Sequence, residues 1–206
     1  MTRLALDFIE KCINGHAPAR HEVGDRTRQA AVAAILRKGR RDTEALFILR
    51  AIKEGDPWSG HMAFPGGHLD PDDASLRAAA ERETLEEIGL DLGRCARFVG
   101  EIDQVRANPR GRNLDMVVTP FVYVIEQSLP ELSLNHEVSD VLWGSLNDMY
   151  LGNSLTRGRF EVGGEVISYP GYSVGEHIVW GLTLRMLDQF FSMLDPDWEN
   201  VYEQAT

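Results

Sequence analysis

A tight turn followed by a long helical segment is the feature that most constrains how this chain folds. Proline and paired glycines at 65–67 end the short strand that we predict for 61–64. The segment from Ala74 to Ile88 then favours a helix, and Gly89 is its natural C-terminal stop. Aspartates and a proline at 70–73 are typical of a helix N-terminus, so we expect this segment to cap the helix.

The end of this helix carries three glutamates, Glu83, Glu86 and Glu87, with Arg82 beside them. Positions three and four apart share a helix face, so the carboxylates lie close together and repel one another. The helix dipole disfavours negative charge at this end, so helix stability does not explain them. A solvated acidic face is one interpretation. The other is a Mg²⁺ or Mn²⁺ site, completed by a carbonyl of the glycine turn.

Apolar runs elsewhere in the chain predict further strands and helices. Runs at 30–36 and 45–50, joined by a basic turn, predict a β-hairpin, and other strands are predicted at 96–102, 115–125 and 140–143. Apolar residues recur every fourth position between about 175 and 194, as a core-facing helix requires. This order predicts an α+β fold or an α/β/α sandwich, with a mixed sheet, a central helix and a terminal helix.

Length and composition indicate one soluble domain. We expect it to span 1–206, with a helical extension at about 1–25 and a helix and tail at about 175–206. The net charge of -11 disfavours a nucleic-acid partner. Cys12 and Cys95 have no metal-like or redox-like spacing, and no apolar run approaches the ~20 residues of a membrane span. We therefore expect a cytoplasmic protein without a membrane partner.

The stretch from Gly67 to Leu90 resembles the Nudix box, in which a glycine, a loop and an Arg-Glu-x-x-Glu-Glu-x-Gly helix hold divalent metals against a diphosphate. The resemblance covers about two dozen residues. It implies a Nudix-type fold and Mg²⁺- or Mn²⁺-dependent hydrolysis of a nucleoside diphosphate linked to another moiety. The usual box has a glutamate five residues after the glycine. Here the spacing from Gly67 to Arg82 is one residue longer, and Asp72 or Asp73 falls at that place.

Both this spacing and the upstream pattern Gly60-x-x-x-Phe64-Pro65-Gly66-Gly67 resemble the branch of the family that hydrolyses coenzyme A and its thioesters. The segment 178–183 near the C-terminus is also similar to that branch. One position departs from the pattern, because the arginine that the branch carries four residues before Gly60 is Asp56 here. The resemblance implies coenzyme A or an acyl-coenzyme A as substrate.

The resemblance also assigns roles within the site. Glu83, Glu86, Glu87 and the carbonyl of Gly67 would bind the metal, and Arg82 would orient the glutamates. Glu137 matches the place where some family members keep a further acid as ligand or base, and an ordinary loop glutamate is the other interpretation. The catalytic residues would be Glu83, Glu86, Arg82 and Glu137. A metal lowers the pKa of water and a carboxylate removes the proton, but which glutamate is the base stays open.

Several arginines and aromatic residues are candidates for binding the substrate. Guanidinium groups suit phosphates, and aromatic rings stack on a base or a pantetheine arm. Surface cations and structural aromatic residues are the alternative interpretations. The candidates are Arg50, Trp58, Arg106, Arg112, Arg110 and Tyr172.

Other functions remain open within this framework. Nucleoside diphosphate sugars, dinucleoside polyphosphates and oxidised nucleotides share the metal chemistry and differ only in the pocket outside the box. The alternative from another class of protein is a catalytically silent Nudix-fold regulator, which binds a nucleotide without hydrolysing it. The intact Glu83, Glu86 and Glu87 argue against such a module. A homodimer is also left open.

Overall fold

The computed structural model describes residues 4–55, 58–107, 115–162 and 164–201. The helices within these ranges are α1 (Leu6–Gly15), α2 (Leu76–Ile88), α3 (Leu92–Cys95), α4 (Leu146–Tyr150) and α5 (Gly181–Leu194). The strands are β1 (Arg28–Lys38), β2 (Thr43–Arg50), β3 (Met62–Ala63), β4 (Gly66–His68), β5 (Ala96–Glu101), β6 (Val105–Ala107), β7 (Met116–Ile125), β8 (Val138–Ser145), β9 (Leu155–Val162), β10 (Glu165–Val174) and β11 (His177–Val179).

The main sheet is mixed and has β1 at its centre. The strand order is β3-β2-β1-β7-β5, with β4 pairing β1, β6 pairing β7 and β8 pairing β2. The β1–β7 pair is parallel, whereas β2 and β4 run antiparallel to β1. A smaller antiparallel sheet has the order β11-β10-β9. The predicted hairpin at 30–36 and 45–50 and the predicted mixed sheet are both confirmed.

Alternate residues of β1 point to opposite faces of the sheet, and both faces are buried. Ala31, Ala33 and Ile35 belong to one apolar cluster, which includes Ala79, Ala80 and Ile88 of α2. Ala30, Ala34 and Leu36 belong to a second cluster, which includes residues of α1 and α5. Helices therefore cover both faces, as an α/β/α sandwich requires.

The predicted caps of α2 and the predicted start of the terminal helix are wrong. Ser75 caps α2 by accepting a hydrogen bond from the Ala78 backbone N–H, so the aspartates at 70–73 do not cap it. The terminal helix begins at Gly181 rather than near 175, because Ile178 belongs to strand β11 and pairs with Ser173. Gly89 ends α2 in the left-handed conformation, as predicted.

The predicted N-terminal helical extension contains α1, with Ile9 and Ile13 buried. In the described ranges, no helix is long and apolar enough to cross a membrane. The division into one domain with two extensions stays a prediction.

Candidate active site

Helix α2 presents its glutamates because its other face is anchored to the sheet. Ala79, Ala80 and Ile88 are fully buried against the residues of β1, β2 and β7. Small alanines let α2 approach the strands closely. The carboxylates that follow at 83, 86 and 87 are thus held at a fixed distance from the glycine turn before α2.

The glycine turn lies directly against the carboxylates. Gly66 adopts a φ of 147°, and its backbone N–H donates to Glu87 Oε2 at 2.9 Å. A Cβ atom at Gly67 would lie 2.4 Å from Glu83 Oε1, so no larger residue fits without moving that carboxylate. Both positions need glycine, one for its backbone conformation and the other for close approach.

The three glutamates differ sharply in exposure. The side chain of Glu86 is 55% exposed, that of Glu83 is 18% exposed and that of Glu87 is 2% exposed. Burial raises the pKa of the Glu87 carboxyl to about 8, and burial also raises the pKa of Glu83. Repulsion from Glu137 raises both pKa values further. Glu83 and Glu87 therefore hold their protons more tightly than exposed glutamates do, and a bound cation would favour their charged forms.

Arg82 holds the carboxylates in place. Its Nη1 donates to Glu83 Oε1 at 3.0 Å and to Glu86 Oε2 at 3.2 Å. Its Nε and Nη2 both donate to the Asp73 carboxylate at 3.0 Å, and Nη2 also donates to the His68 carbonyl at 3.2 Å. The Arg82 hydrogen bond holds the pKa of Asp73 below its usual value. Of Asp72 and Asp73, which both fall near the place of the usual loop glutamate, Asp73 is therefore the one that contacts Arg82.

Glu137 reaches the same site through backbone contacts. The Asn135 N–H donates to the Glu87 carbonyl at 3.0 Å, which joins the loop before β8 to the end of α2. The Ala51 N–H donates to the Glu137 carbonyl at 2.8 Å, at the end of β2. Lys53 Nζ lies 3.6 Å from Glu137 Oε1, and Arg50 Nη1 lies 3.9 Å from Glu87 Oε1. Two cations therefore border the acidic cluster.

Arg50, Glu83, Glu87 and Glu137 line a cleft of about 370 Å³. The polar residues that line it are Arg50, His61, Gly66, Gly67, His68, Glu83, Glu87, Glu137 and Thr183. The apolar residues that line it are Ala30, Val32, Trp58, Met62, Ala63, Phe64, Met116, Val118, Trp180, Leu182 and Met186. The cleft thus combines clustered charge with an extensive apolar wall, as small-molecule sites commonly do.

Four of the predicted substrate-binding residues lie elsewhere or outside the described ranges. The Arg106 guanidinium pairs with Asp115 at 2.7 and 2.9 Å and does not line the cleft. Tyr172 is fully buried in the core, which excludes stacking on a ligand. Arg110 and Arg112 lie outside the described residues. So does Asp56, the position at which the sequence departs from the coenzyme A branch pattern. Arg50 and Trp58 do line the cleft.

Two aromatic side chains of the cleft, His61 and Trp180, are not among the residues predicted from the sequence. Their ring centroids lie 4.5 Å apart. Trp180 falls within the predicted segment 178–183, but nothing in the local pattern indicates that it would meet His61. The contact depends on how β11 and α5 pack beside β3.

The residues present fit a divalent metal by their chemistry. In the ranges that the structure describes, no three His, Cys, Asp or Glu side chains are arranged to hold a metal as they stand. Arg82 instead bridges Glu83 and Glu86, and Glu87 faces the Gly66 N–H. The donors are hard oxygens, which suit a divalent cation, and burial raises the pKa values of Glu83 and Glu87.

Known proteins resemble the chain over much of its length. A family model for the NUDIX domain matches residues 27–162. NudL of Salmonella paratyphi B, an uncharacterized Nudix hydrolase, is 32% identical over 192 residues, which are 90% of this chain and 93% of that protein. The mitochondrial coenzyme A diphosphatase NUDT8 of Mus musculus is 29% identical over 153 residues, covering 73% of this chain and 70% of that protein.

Another relative is much longer than the region that it shares. An uncharacterized protein of Schizosaccharomyces pombe is 39% identical over 115 residues, which cover 54% of this chain but only 35% of that protein. Among solved structures, a MutT/nudix family protein from Enterococcus faecalis has a TM-score of 0.52 at 15% identity, covering 98% of this chain and 74% of that chain. This likeness concerns the fold, and it agrees with the predicted α+β architecture.

Proposed function

The chain belongs to the Nudix family, as residues 67–90 predict, and we propose that it hydrolyses the diphosphate linkage of a nucleoside diphosphate derivative with Mg²⁺ or Mn²⁺. We place coenzyme A or an acyl-coenzyme A first among the substrates. The observation that supports the proposal best is that Glu83, Glu87 and Glu137 line the same cleft as many apolar side chains. Such a site suits a ligand with a charged linkage and a large uncharged arm.

The chain's own residues would divide the work as follows. Glu83, Glu86, Glu87 and the Gly67 carbonyl would hold the cation, and Arg82 would orient Glu83 and Glu86 through its hydrogen bonds. A bound divalent cation supplies charge compensation to the diphosphate and lowers the pKa of water. Arg50 lies at the edge of the cluster, where its guanidinium would contact a phosphate.

The proposed reaction consumes one water. The water oxygen attacks one phosphorus and forms a new P–O bond, while the bond from that phosphorus to the bridging oxygen breaks. The bridging oxygen leaves with the second phosphate, and a carboxylate of the cluster accepts a water proton. Two phosphate monoesters result, and positioning and charge compensation provide most of the acceleration.

Two observations favour coenzyme A. NUDT8, a mitochondrial coenzyme A diphosphatase by name, is similar to 73% of this chain. The apolar wall of the cleft, with Met62, Met116 and Met186, also offers room for a long flexible arm. Nucleoside diphosphate sugars, dinucleoside polyphosphates and oxidised nucleotides are the alternatives, together with a silent nucleotide-binding regulator.

A substrate panel with Mg²⁺ and with Mn²⁺ tests the proposal. We expect coenzyme A to yield two phosphate monoesters, and we expect Glu86→Gln and Glu87→Gln to abolish turnover while remaining folded. Glu131→Gln, at an exposed loop glutamate, is the matched control and should keep full activity. If the protein hydrolyses another diphosphate but not coenzyme A, that diphosphate becomes the proposed substrate. Nucleotide binding without hydrolysis would favour the regulator, and full activity of both site variants would refute the site.

A further inference from the structure

Lys53 is the more exposed of the two cations that lie beside the glutamates of the cleft. Its side chain is 67% exposed, whereas that of Arg50 is 26% exposed. Lys53 Nζ lies 3.6 Å from Glu137 Oε1, and Glu137 lines the cleft. The ammonium group is therefore next to the cleft, while the side chain as a whole stays largely in solvent.

The backbone holds the base of the Lys53 side chain in place. The Lys53 N–H donates to Ser59 Oγ at 2.8 Å, which ties the loop after β2 back on itself. Two residues earlier, the Ala51 N–H donates to the Glu137 carbonyl at 2.8 Å. The Lys53 backbone is thus fixed beside Glu137, so only the long side chain has to move when the ammonium group changes its partner.

The ion pair of Lys53 with Glu137 is one that a ligand can exchange. Its separation of 3.6 Å is longer than a charge-assisted hydrogen bond, and neither side chain is buried. Exposed ion pairs of this kind contribute little to stability. A diphosphate carries more negative charge than one carboxylate, so it competes well for the same ammonium group.

The cleft has few other cations to offer an anionic ligand. Besides its histidines, the described charged residues that line it are one arginine and three glutamates, namely Arg50, Glu83, Glu87 and Glu137. Arg82 already donates to three carboxylates. In the described part of the chain, Lys53 is the remaining cation that contacts an acid of the cleft wall.

We infer that Lys53 is a further substrate-binding residue, whose ammonium group leaves Glu137 and contacts a phosphate oxygen of the diphosphate. The inference rests on the proposed function, since it adds a phosphate contact at the same site. Lysine suits this exchange because its compact charge sits on a flexible stem and binds phosphate as a point charge. Arg50 is less free to move, because its guanidinium faces the buried Glu87 carboxylate.

Steady-state hydrolysis by Lys53→Met and Lys53→Arg tests this contact. Lys53→Met keeps an unbranched stem without the charge, so KM for the hydrolysed substrate should rise about tenfold at nearly unchanged kcat, as the loss of one charge-assisted hydrogen bond predicts. Lys53→Arg should keep most of the affinity. Lys38→Met is the matched control, since Lys38 is exposed and pairs with Thr43 at the far end of β1 from the cleft.

The control should keep the KM of the wild type. An unchanged KM in Lys53→Met would overturn the inference. So would a fall in kcat alone, which would mean that Lys53 acts only by orienting Glu137. A Lys53→Arg protein as impaired as Lys53→Met would overturn it as well, because a positive charge at this position would then not be what binds the phosphate.

Lysine labelling tests the same contact without turnover. Lys11, Lys38 and Lys53 are the only lysines in the sequence, so trace acetylation with acetic anhydride followed by peptide mass spectrometry compares them all. Methylenediphosphonate is the probe, because its P–C–P bridge cannot be hydrolysed. Relative to Mg²⁺ alone, the probe with Mg²⁺ should lower acetylation of Lys53 several-fold and leave the exposed Lys11 and Lys38 unchanged. An unprotected Lys53, or an equal fall at all three lysines, would overturn the inference.

The two proposals fail in different ways. A protein that hydrolyses coenzyme A while Lys53 stays unprotected would keep the proposed function and lose this inference. A protein that hydrolyses no diphosphate but still protects Lys53 would lose the proposed function and keep Lys53 as a phosphate contact.

Discussion

The three glutamates of α2 have different properties because they differ in burial. Glu86 is largely exposed and shares Arg82 with Glu83, whereas Glu87 is buried and receives the Gly66 N–H. Helical spacing predicts that all three share a face, but it cannot predict this gradient. The gradient depends on the glycine turn and on the loop before β8, which both pack on Glu87.

Burial of Glu87 makes stability depend on pH in a defined direction. Its pKa is about 8 in the folded protein against an ordinary 4.5, so its stabilisation is complete below pH 4.5 and is lost as pH rises through 8. In the presence of a chelator, the free energy of unfolding of the wild type should therefore fall relative to that of Glu87→Gln between about pH 5 and pH 9. Urea unfolding at several pH values measures this difference.

Glu131→Gln serves as the control for this titration, because its exposed carboxyl should leave the pH dependence of the wild type unchanged. A constant difference between the wild type and Glu87→Gln across this range would show that the Glu87 carboxyl is not protonated in the folded, metal-free protein.

Asp73 and Asp72 offer a matched pair at adjacent positions. Asp73 accepts two hydrogen bonds from Arg82 and is largely buried, whereas the Asp72 side chain is exposed. Asp73→Asn should cost about 1–3 kcal/mol of stability and lower turnover, because Arg82 loses its charged partner. Asp72→Asn should have little effect on either. Equal behaviour of the two variants in urea unfolding and in hydrolysis would contradict this role of Asp73.

At the scale of elements, the fit between β4 and α2 sets the shape of the site. Gly67 has no room for a Cβ atom beside the Glu83 carboxylate. Gly67→Ala should therefore displace that carboxylate and reduce turnover, while stability changes little because the end of the Glu83 side chain can shift. Gly15→Ala, at the end of α1 where a Cβ atom meets nothing within 4 Å, is the control. A Gly67→Ala protein with wild-type turnover would mean that the contact is unimportant.

The elements that local patterns predict best are those with strong boundaries. The apolar run of β1 and the Gly89 stop of α2 are visible in the sequence and are confirmed. The N-terminus of α2 is different, because Asp70, Asp72, Asp73 and Ser75 all lie just before it and only Ser75 accepts the capping hydrogen bond from the Ala78 N–H. The hairpin of β9 and β10 was not predicted, since its strands mix charged, small and aromatic residues without clear alternation.

At the scale of the whole molecule, the cleft joins segments that are distant in the chain. Arg50 ends β2, Glu83 lies on α2, Glu137 precedes β8 and Trp180 precedes α5. The sequence indicates the members that share one helix and one turn, because their spacing alone brings them together. Contacts that depend on sheet order, such as His61 with Trp180, or on a competing partner, such as Arg106 with Asp115, need the folded chain.

The central claim is that the carboxylates of α2 and the Gly67 turn together bind a divalent cation. Anomalous diffraction from crystals soaked in Mn²⁺ tests it most directly. We predict a manganese peak within coordinating distance of Glu83, Glu86 or Glu87 and of the Gly67 carbonyl, and no such peak in crystals of a Glu83→Gln, Glu86→Gln, Glu87→Gln triple variant. A wild-type map without manganese at these residues, with Arg82 still bridging Glu83 and Glu86, would contradict the claim.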